Sequence, residues 1–269
     1  MNHFRLALLL AGALVLAAAG GCAVPGSQGK AASEGNVVPT APVDTDARRR
    51  SNIRLELAAN YYRQRIYHAA LEELREAIKA DPTYPEAFGM LGLVYMDLDD
   101  RPKAEESFRR ALELAPRDAE INNNYGWYLC QTGRERESLA YFDRALADRL
   151  YRTPVRPLHN AGVCMRRIGD LAKARAYLER AFQIEAGNPV AMFNLAEIAL
   201  EQNELERAHF YAQRLLNSYD PNAQTLWLGL RVQHARGDRD GEASLGAQLQ
   251  RRFPGSIEAR KLAEGRYSE

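Results

Sequence analysis

The most regular feature of this sequence is a pattern of small side chains spaced one helical hairpin apart. From Ser51 onward, a small residue recurs at intervals of 34, 34, 36, 34 and 33 residues, at Ala58, Gly92, Gly126, Gly162, Ala196 and Gly229. A second series lies twelve positions further on, at Ala70, Ala104, Ser138, Ala174, Ala208 and Gly241. Because two helices approach closely only where side chains are small, each pair of positions predicts the crossing point of a helical hairpin.

Residues that end helices complete each unit. Pro116 ends the second unit because proline cannot continue a helix. Turns within the hairpins are predicted at residue types that accept the left-handed conformation, namely Asp99, Gly133, Gly169 and Asn203. The pattern predicts an all-α fold with units near 51–84, 85–118, 119–152, 155–188, 189–221 and 222–254, followed by a C-terminal tail at 255–269.

The repeat resembles the tetratricopeptide (TPR) consensus of 34 residues. Its order of Leu-Gly, Tyr, Ala, Phe, Ala and Pro is matched in the second unit by Leu91-Gly92, Tyr95, Ala104, Phe108, Ala111 and Pro116. Five units match well, and the sixth, which is degenerate after Gly229, is expected to cap the end. The resemblance implies a right-handed superhelix of about six helix-turn-helix repeats over 51–254.

The N-terminus has the composition of a bacterial export signal. An apolar run from Leu6 to Ala19 follows Arg5 and is too short for a membrane-spanning helix, which needs about 20 apolar residues. The next residues are Gly20-Gly21-Cys22, and small residues before a cysteine resemble the lipobox of bacterial lipoproteins. Alanine stands three residues before the cysteine, where leucine is usual.

These features predict a signal peptide at 1–21 and a lipid on Cys22; an ordinary secreted protein with an unmodified cysteine is the alternative. Ala23 is not aspartate, which in the enterobacterial sorting pattern favours the outer membrane. We therefore expect a lipid anchor at the periplasmic face of the outer membrane. Residues 22–50 are rich in Gly, Ser and Pro and predict a flexible tether. Its run Arg48-Arg49-Arg50 is interpreted as a solvated entry to the first helix rather than a nucleic-acid arm, with attraction to anionic lipid headgroups as an alternative.

The charge balance and the polar residues argue against several functions. Lys and Arg total 36 against 35 Asp and Glu, so a net charge of +1 provides no basic surface for nucleic acid. The histidines have no second ligand at metal-binding spacing, and no phosphate-binding loop or nucleophile elbow is present. The acidic turn at 237–242 lacks the ligand set of a calcium loop. We expect no catalytic function, cofactor, metal or small-molecule substrate.

Candidate partner-binding residues follow from the repeat register. First helices line the inner wall of stacked hairpins, at positions 2, 5, 9 and 12 of each repeat. The residues predicted to bind a partner there are Leu55, Ala59, Tyr62, Leu93, Met96, Asn123 and Trp127. An apolar groove that ends in Asn and Trp suits an amphipathic helix or extended segment of another protein. The alternative is a groove covered by the chain's own tether or by a neighbouring helix.

The two remaining cysteines are candidates for a disulfide. Cys130 and Cys164 fall on consecutive first helices, which are neighbours in the stack, and an exported protein folds in an oxidising compartment. A bridge would close a loop of about 34 residues and contribute roughly 3 to 4 kcal/mol by restricting the unfolded chain. Two buried free thiols are the alternative.

Three further segments narrow the resemblance to one family. They are Asn123-Asn124-Tyr125-Gly126, Leu226-Trp227-Leu228-Gly229-Leu230-Arg231 and Arg252-Phe253-Pro254-Gly255-Ser256. Asp238 and Asp240, just after Gly237, also fit the sixth repeat of that family. With the lipoprotein signal and six repeats, they resemble the PilF/PilW family of type IV pilus biogenesis lipoproteins.

This resemblance implies a pilotin, an outer-membrane lipoprotein that binds subunits of the pilus secretin and promotes their localisation and multimerisation. By analogy the first two repeats would contact the secretin, with Leu55, Tyr62, Leu93 and Met96 as apolar anchors. The alternative is a TPR scaffold for other cell-envelope proteins, such as peptidoglycan synthesis enzymes.

Overall fold

The computed structural model describes residues 45–267, and this part of the chain contains α-helices and no strand. The helices are α1 (Thr45–Arg63), α2 (Tyr67–Ala80), α3 (Pro85–Asp97), α4 (Arg101–Leu114), α5 (Ala119–Gln131), α6 (Glu135–Ala147), α7 (Val155–Arg167), α8 (Leu171–Ile184), α9 (Pro189–Glu201), α10 (Leu205–Ser218), α11 (Ala223–Arg236), α12 (Arg239–Arg252) and α13 (Ile257–Ala263). The predicted signal peptide, Cys22 and most of the predicted tether lie outside the described residues.

The first twelve helices form six antiparallel hairpins. Within each hairpin the two helices make the most extensive contact, and the second helix also packs against the first helix of the next hairpin. Consecutive first helices, α1, α3, α5, α7, α9 and α11, also contact one another in order. This arrangement confirms the predicted all-α stack of six TPR hairpins.

The turns within the hairpins adopt the predicted backbone conformation. Asp99, Gly133, Gly169 and Asn203 all have positive φ angles, between 56° and 84°. Arg65 plays the same part in the first hairpin with a φ of 60°, although arginine has no preference for this region. Four of these turns were therefore predictable from residue type, whereas the first was not.

The glycines of the repeats make room for a large side chain rather than for a second small one. A Cβ atom added to Gly92 would lie 2.7 Å from the ring of Phe108, and one added to Gly126 would lie 2.9 Å from Phe142. Both rings are fully buried. The sequence pattern located the helix contact correctly, but each glycine receives the bulky residue of the partner helix.

The tightest of these contacts gives a stability prediction. A Cβ atom on Gly162 would lie 2.4 Å from Cγ of Leu178 and 3.2 Å from the backbone oxygen of Ala174. We expect Gly162→Ala to lower the free energy of unfolding by about 1–3 kcal/mol, because α7 and α8 must move apart. Urea denaturation measures the change. Gly255→Ala is the control, since nothing lies within 4 Å of that position, and equal losses in both variants would refute the close-contact argument.

The first helix begins inside the predicted tether. It starts at Thr45, so the boundary predicted at residue 50 is wrong by about one and a half helical turns. Arg48 fixes this extra segment, because its guanidinium pairs with Asp81 at 2.5 Å and lies 4.5 Å from the ring centre of Tyr84. The interpretation of Arg48 as a solvated residue is therefore wrong: it joins α1 to the α2–α3 turn.

The Asp81 carboxylate in this turn makes stability dependent on pH. Burial acts to raise its pKa, but hydrogen bonds from the Thr83 hydroxyl, the Thr83 amide and the Arg48 guanidinium outweigh burial and lower the pKa below its usual value. A lowered folded-state pKa means that the stabilisation is complete above the unfolded-state pKa of about 4 and is lost as pH falls through the folded-state value.

We therefore expect Asp81→Asn to destabilise the protein at pH 7 by about 1.5–3 kcal/mol, the usual contribution of hydrogen bonds to a charged group. The difference from wild type should shrink as the pH falls below about 4. Thermal unfolding monitored by circular dichroism at pH 7 and pH 3 measures both effects. Asp99→Asn is the control, since that side chain is 82% exposed. A pH-independent difference would exclude the charged carboxylate as the cause.

The predicted C-terminal tail contains a capping helix. α13 packs against α11 and α12, with Ala259 buried and Leu262 contacting the core of the last hairpin. The expectation that a degenerate sixth repeat caps the stack is therefore corrected: α11 and α12 form a regular hairpin, and α13 covers its far side. A polar end cap of this kind shields the apolar edge of a repeat stack from water.

Candidate partner-binding surface

An apolar wall runs along the first helices of the first three hairpins. We use the term apolar wall for Leu55, Ala59 and Tyr62 of α1, Leu93 and Met96 of α3, and Trp127 of α5. All six residues are partly buried. One side of each residue packs inward and the other remains accessible, so together they can serve as a shallow surface for apolar side chains of a partner.

The inward contacts of the apolar wall keep it in place. Leu55 and Tyr62 pack on the buried cluster of the first hairpin, while Leu93 and Met96 pack on the cluster around Tyr125. Burial, followed by a hydrogen bond to an aspartate, raises the pKa of Tyr62. Its phenol therefore stays neutral at physiological pH, and the wall carries no charge of its own at this point.

Asn123, predicted to be part of the same groove, is buried instead. This residue is only 1% exposed. Its Oδ1 accepts a hydrogen bond from Nδ2 of Asn160 on α7 at 3.0 Å, and its Nδ2 donates to Oδ1 of Asn124 at 3.2 Å. Buried amides need such partners. Asn123 thus joins α5 to α7 and cannot fix the backbone of a partner, which corrects the prediction.

The structure joins Cys130 and Cys164 in a disulfide between α5 and α7, with their Cα atoms 5.8 Å apart. Both cysteines are fully buried, and Trp127 of the apolar wall packs against the cluster that contains them. Nearby, a guanidinium nitrogen of Arg167 donates to the backbone oxygen of Cys130 at 3.2 Å. The disulfide therefore fixes the spacing of two first helices next to the end of the wall.

An ion-pair network links the first helices of the last three hairpins. Glu197 of α9 is 7% exposed and lies between two arginines. Its carboxylate accepts hydrogen bonds from Arg231 of α11 at 2.9 and 3.1 Å and from Arg166 of α7 at 3.2 Å. Arg166 also pairs with Glu201 at 2.7 Å. These charges are paired within the chain. The first helices in this half of the stack therefore differ in chemistry from the apolar wall.

Sequence reasoning did not identify this network. Glu197 and Arg231 are 34 residues apart, which is the repeat period, whereas the small residues beside them, Ala196 and Gly229, are 33 apart. The pairing therefore shifts by one position relative to the repeat register. Opposite charges spaced by one repeat on first helices were the signal that could have indicated it.

A separate crevice of about 710 Å³ lies between α3 and α4. It is lined by Phe88, Leu91 and Tyr95 of the first helix and by charged residues of the second, and none of its lining residues belongs to the apolar wall. Cations cover its aromatic floor, since Arg110 lies 5.9 Å from the ring centre of Phe88 and Lys103 lies 5.3 Å from that of Tyr95. A partner would have to displace both cations to use it.

Two kinds of feature are absent from the part of the chain that the structure describes. Residues 45–267 contain no group of three or more His, Cys, Asp or Glu side chains arranged to bind a metal ion. Within the same residues, no helix has the length and apolar content that crossing a membrane requires.

Family models match the chain in two places. Models described as tetratricopeptide repeat match residues 89–152 and residues 168–230. The first range covers most of α3 and all of α4, α5 and α6, and the second covers α8, α9, α10 and the first part of α11. Both ranges agree with the hairpins of the structure.

One pilus assembly protein is similar to this chain over most of its length. The type IV pilus assembly protein PilF of Pseudomonas aeruginosa is 29% identical over 204 residues, which are 76% of this chain and 81% of that protein. A solved structure of Pseudomonas aeruginosa PilF superimposes with a TM-score of 0.75 over 82% of this chain and 99% of that one, at 27% identity.

PilW, whose crystal structure is described as that of a widely conserved type IV pilus biogenesis factor, is 37% identical to this chain. The match covers 79% of this chain and 98% of that one, with a TM-score of 0.74. With the TPR hairpins, this level of identity and coverage shows that the chain belongs to the PilF/PilW family of TPR proteins of type IV pilus biogenesis.

Proposed function

We propose that this protein is a non-enzymatic lipoprotein of the outer membrane that binds the type IV pilus secretin and promotes its localisation and multimerisation. The observation that carries the proposal is the apolar wall, because it is partly exposed and extends over three consecutive first helices. In this proposal a lipid on Cys22 anchors the chain at the periplasmic face of the membrane. The residues between Cys22 and α1 provide the reach to a secretin subunit.

The contrast between the two halves of the stack supports the apolar wall as the binding surface. In the last three hairpins, the charged groups of Arg166, Glu197 and Arg231 pair with one another, so binding a partner there would break existing ion pairs. The side chains of the apolar wall, such as Leu93 and Met96, are partly exposed and take part in no ion pair, so binding a partner there needs no such exchange. Burial of apolar anchors provides most of the affinity at such surfaces.

The chemistry of the wall also defines its partner. Leu93 and Met96 lie on one turn of α3, and their flexible side chains can adapt to different apolar anchors. The wall presents few charged groups, so we expect a secretin segment with apolar side chains at helical or alternating spacing. A strongly charged segment would lose its hydration without gaining a partner of opposite charge.

A capture experiment tests the proposal. The mature protein and a Leu93→Arg, Met96→Glu double variant are each used to retrieve proteins from envelope extracts. We expect wild type to retrieve the secretin, and the variant to lose at least 90% of it, because two apolar anchors are replaced by charged side chains that would lose their hydration against an apolar partner. In cells, Cys22→Ser should move the protein from the membrane to the soluble periplasmic fraction and reduce the outer-membrane share of assembled secretin.

The matched control carries the same kind of change at exposed sites outside the wall. Leu150→Arg and Ile184→Glu replace apolar side chains that are 88% and 57% exposed, and this double variant should retrieve the secretin as wild type does. Circular dichroism must show equal helix content in all three proteins. Equal retrieval by both variants would place binding elsewhere, with the crevice of Phe88 as the next site to test. Retrieval of peptidoglycan synthesis enzymes without secretin would favour the scaffold function.

A further inference from the structure

The chain's last described residue occupies a site built from the final hairpin. Tyr267 follows α13 and returns to α11, where its ring stacks on His234 at 3.8 Å between ring centres and on Trp227 at 5.8 Å, with interplanar angles of 4° and 20°. Its hydroxyl donates to the Glu242 carboxylate at 2.8 Å, and its backbone oxygen accepts a hydrogen bond from Nε of Arg231 at 3.1 Å. We call these four partners the Tyr267 site.

The Tyr267 site is held in shape by contacts that do not involve Tyr267. The Glu242 carboxylate lies 3.1 Å from Nδ1 of His234, within hydrogen-bonding distance. Arg231 is fixed by its two hydrogen bonds to Glu197. A site whose side chains are already positioned loses little conformational entropy when a ligand binds. It would therefore keep its geometry with the tyrosine removed.

Tyr267 is not the only residue that covers the end of the stack. α13 contributes Ala259 and Leu262, Tyr267 packs against the same cluster, and the chain turns between them at Gly265, which has a φ of 67°. Release of Tyr267 would require only the residues after this glycine to move. The contacts of Tyr267 are those expected of a bound peptide residue: a stacked ring, a phenol on a carboxylate and a main-chain oxygen on a guanidinium.

A further polar group at the site has no partner. The indole Nε1 of Trp227 is buried and makes no hydrogen bond, although the residue is only 6% exposed. Buried donors without partners are rare and costly in proteins. Trp227 therefore contributes a stacking ring to the Tyr267 site and no hydrogen bond.

We propose that the Tyr267 site binds a tyrosine-containing extended peptide segment of another protein, and that Tyr267 occupies it in the free protein as a replaceable internal ligand. The site lies on the side of α11 that faces α9, since Arg231 reaches Glu197 there. It therefore extends the wall of first helices at the opposite end from the apolar wall. The proposal does not depend on whether a secretin binds the first hairpins.

Binding of the chain's own C-terminal sequence in trans tests this proposal. The probe is an N-acetylated peptide with the sequence Gly-Arg-Tyr-Ser-Glu of residues 265–269, titrated into full-length mature wild type and a Tyr267→Ala variant. The two indole resonances of the protein, from its 2 tryptophans, report binding by NMR and are assigned with Trp227→Phe. We expect saturable shifts of the Trp227 resonance in Tyr267→Ala, and at least tenfold weaker binding to wild type, where the tethered tyrosine competes at high effective concentration.

Two further measurements separate specific recognition from loose stacking. A peptide with phenylalanine in place of tyrosine should bind Tyr267→Ala about tenfold more weakly, because it lacks the hydrogen bond to the charged Glu242. An Arg231→Ala, Tyr267→Ala double variant should also bind the tyrosine peptide more weakly than Tyr267→Ala. Absence of peptide binding by folded Tyr267→Ala, or equal binding by this variant and wild type, would overturn the proposal and leave Tyr267 with a structural role only.

Discussion

Replacing Glu197 by alanine is expected to lower the free energy of unfolding by about 3 kcal/mol, because the change leaves two arginines facing each other without their shared carboxylate. Glu197 has a 10% exposed side chain, and the side chains of Arg166 and Arg231 are 26% and 15% exposed. Solvent therefore screens the resulting repulsion poorly. Arg166 retains its pairing with Glu201, so the loss should fall short of the largest values known for broken buried pairs.

The measurement is urea denaturation followed by circular dichroism, with Glu201→Ala as the control. Glu201 contacts the same arginine, but its side chain is 39% exposed, so we expect a loss below about 1 kcal/mol. Glu197→Gln should lie between the two, since it retains hydrogen-bonding capacity without charge. If Glu197→Ala and Glu201→Ala prove equally mild, the network contributes to the specificity of stacking rather than to stability.

The features that the sequence predicted well are those that recur in every repeat. Gly92, Gly126 and Gly162 recur at nearly constant spacing because each must admit a bulky side chain of the partner helix. Asp99 and Asn203 recur because the turn requires a left-handed residue. A constraint that is repeated six times remains visible when one copy departs from it, so the all-α stack could be predicted from one sequence.

The features that the sequence did not reveal depend on contacts made only once. Arg48 pairs with Asp81 in the next turn, 33 residues away, and no other unit has this pairing. Tyr267 reaches α11 only because α13 reverses the chain. Asn123 occupies a groove position in the repeat register, yet it is buried and accepts a hydrogen bond from Asn160 of α7. Repeat periodicity contains no information about such contacts.

This same junction shows why the disulfide is placed where it is. The third and fourth first helices are separated by 36 residues rather than 34, and the connecting segment exposes Leu150 almost completely. Tyr151 and Arg156 both contact Glu120 of α5 and help to fasten the connection. The covalent link between Cys130 and Cys164 therefore crosses the interface between consecutive repeats that contains the two extra residues.

Removal of this disulfide should have the largest effect on stability. The cysteines are 34 residues apart, and a loop of this length corresponds to about 3–4 kcal/mol of stabilisation from the restricted unfolded chain. We expect a Cys130→Ala, Cys164→Ala variant to unfold about 10 °C below the oxidised wild type. Cys→Ser at both positions should unfold lower still, because both sites are fully buried and a buried hydroxyl without a partner costs additional free energy.

Reductant separates the effect of the covalent link from that of lost packing. Since both sulfurs are inaccessible to solvent, dithiothreitol alone should reduce folded wild type slowly, whereas dithiothreitol with urea should reduce it as the chain opens. Fully reduced wild type should then unfold close to the alanine variant, because both lack the restriction on the unfolded chain. If reduced wild type kept the stability of the oxidised protein, the disulfide would not stabilise the fold. The stability of the α5–α7 interface would then come from packing alone.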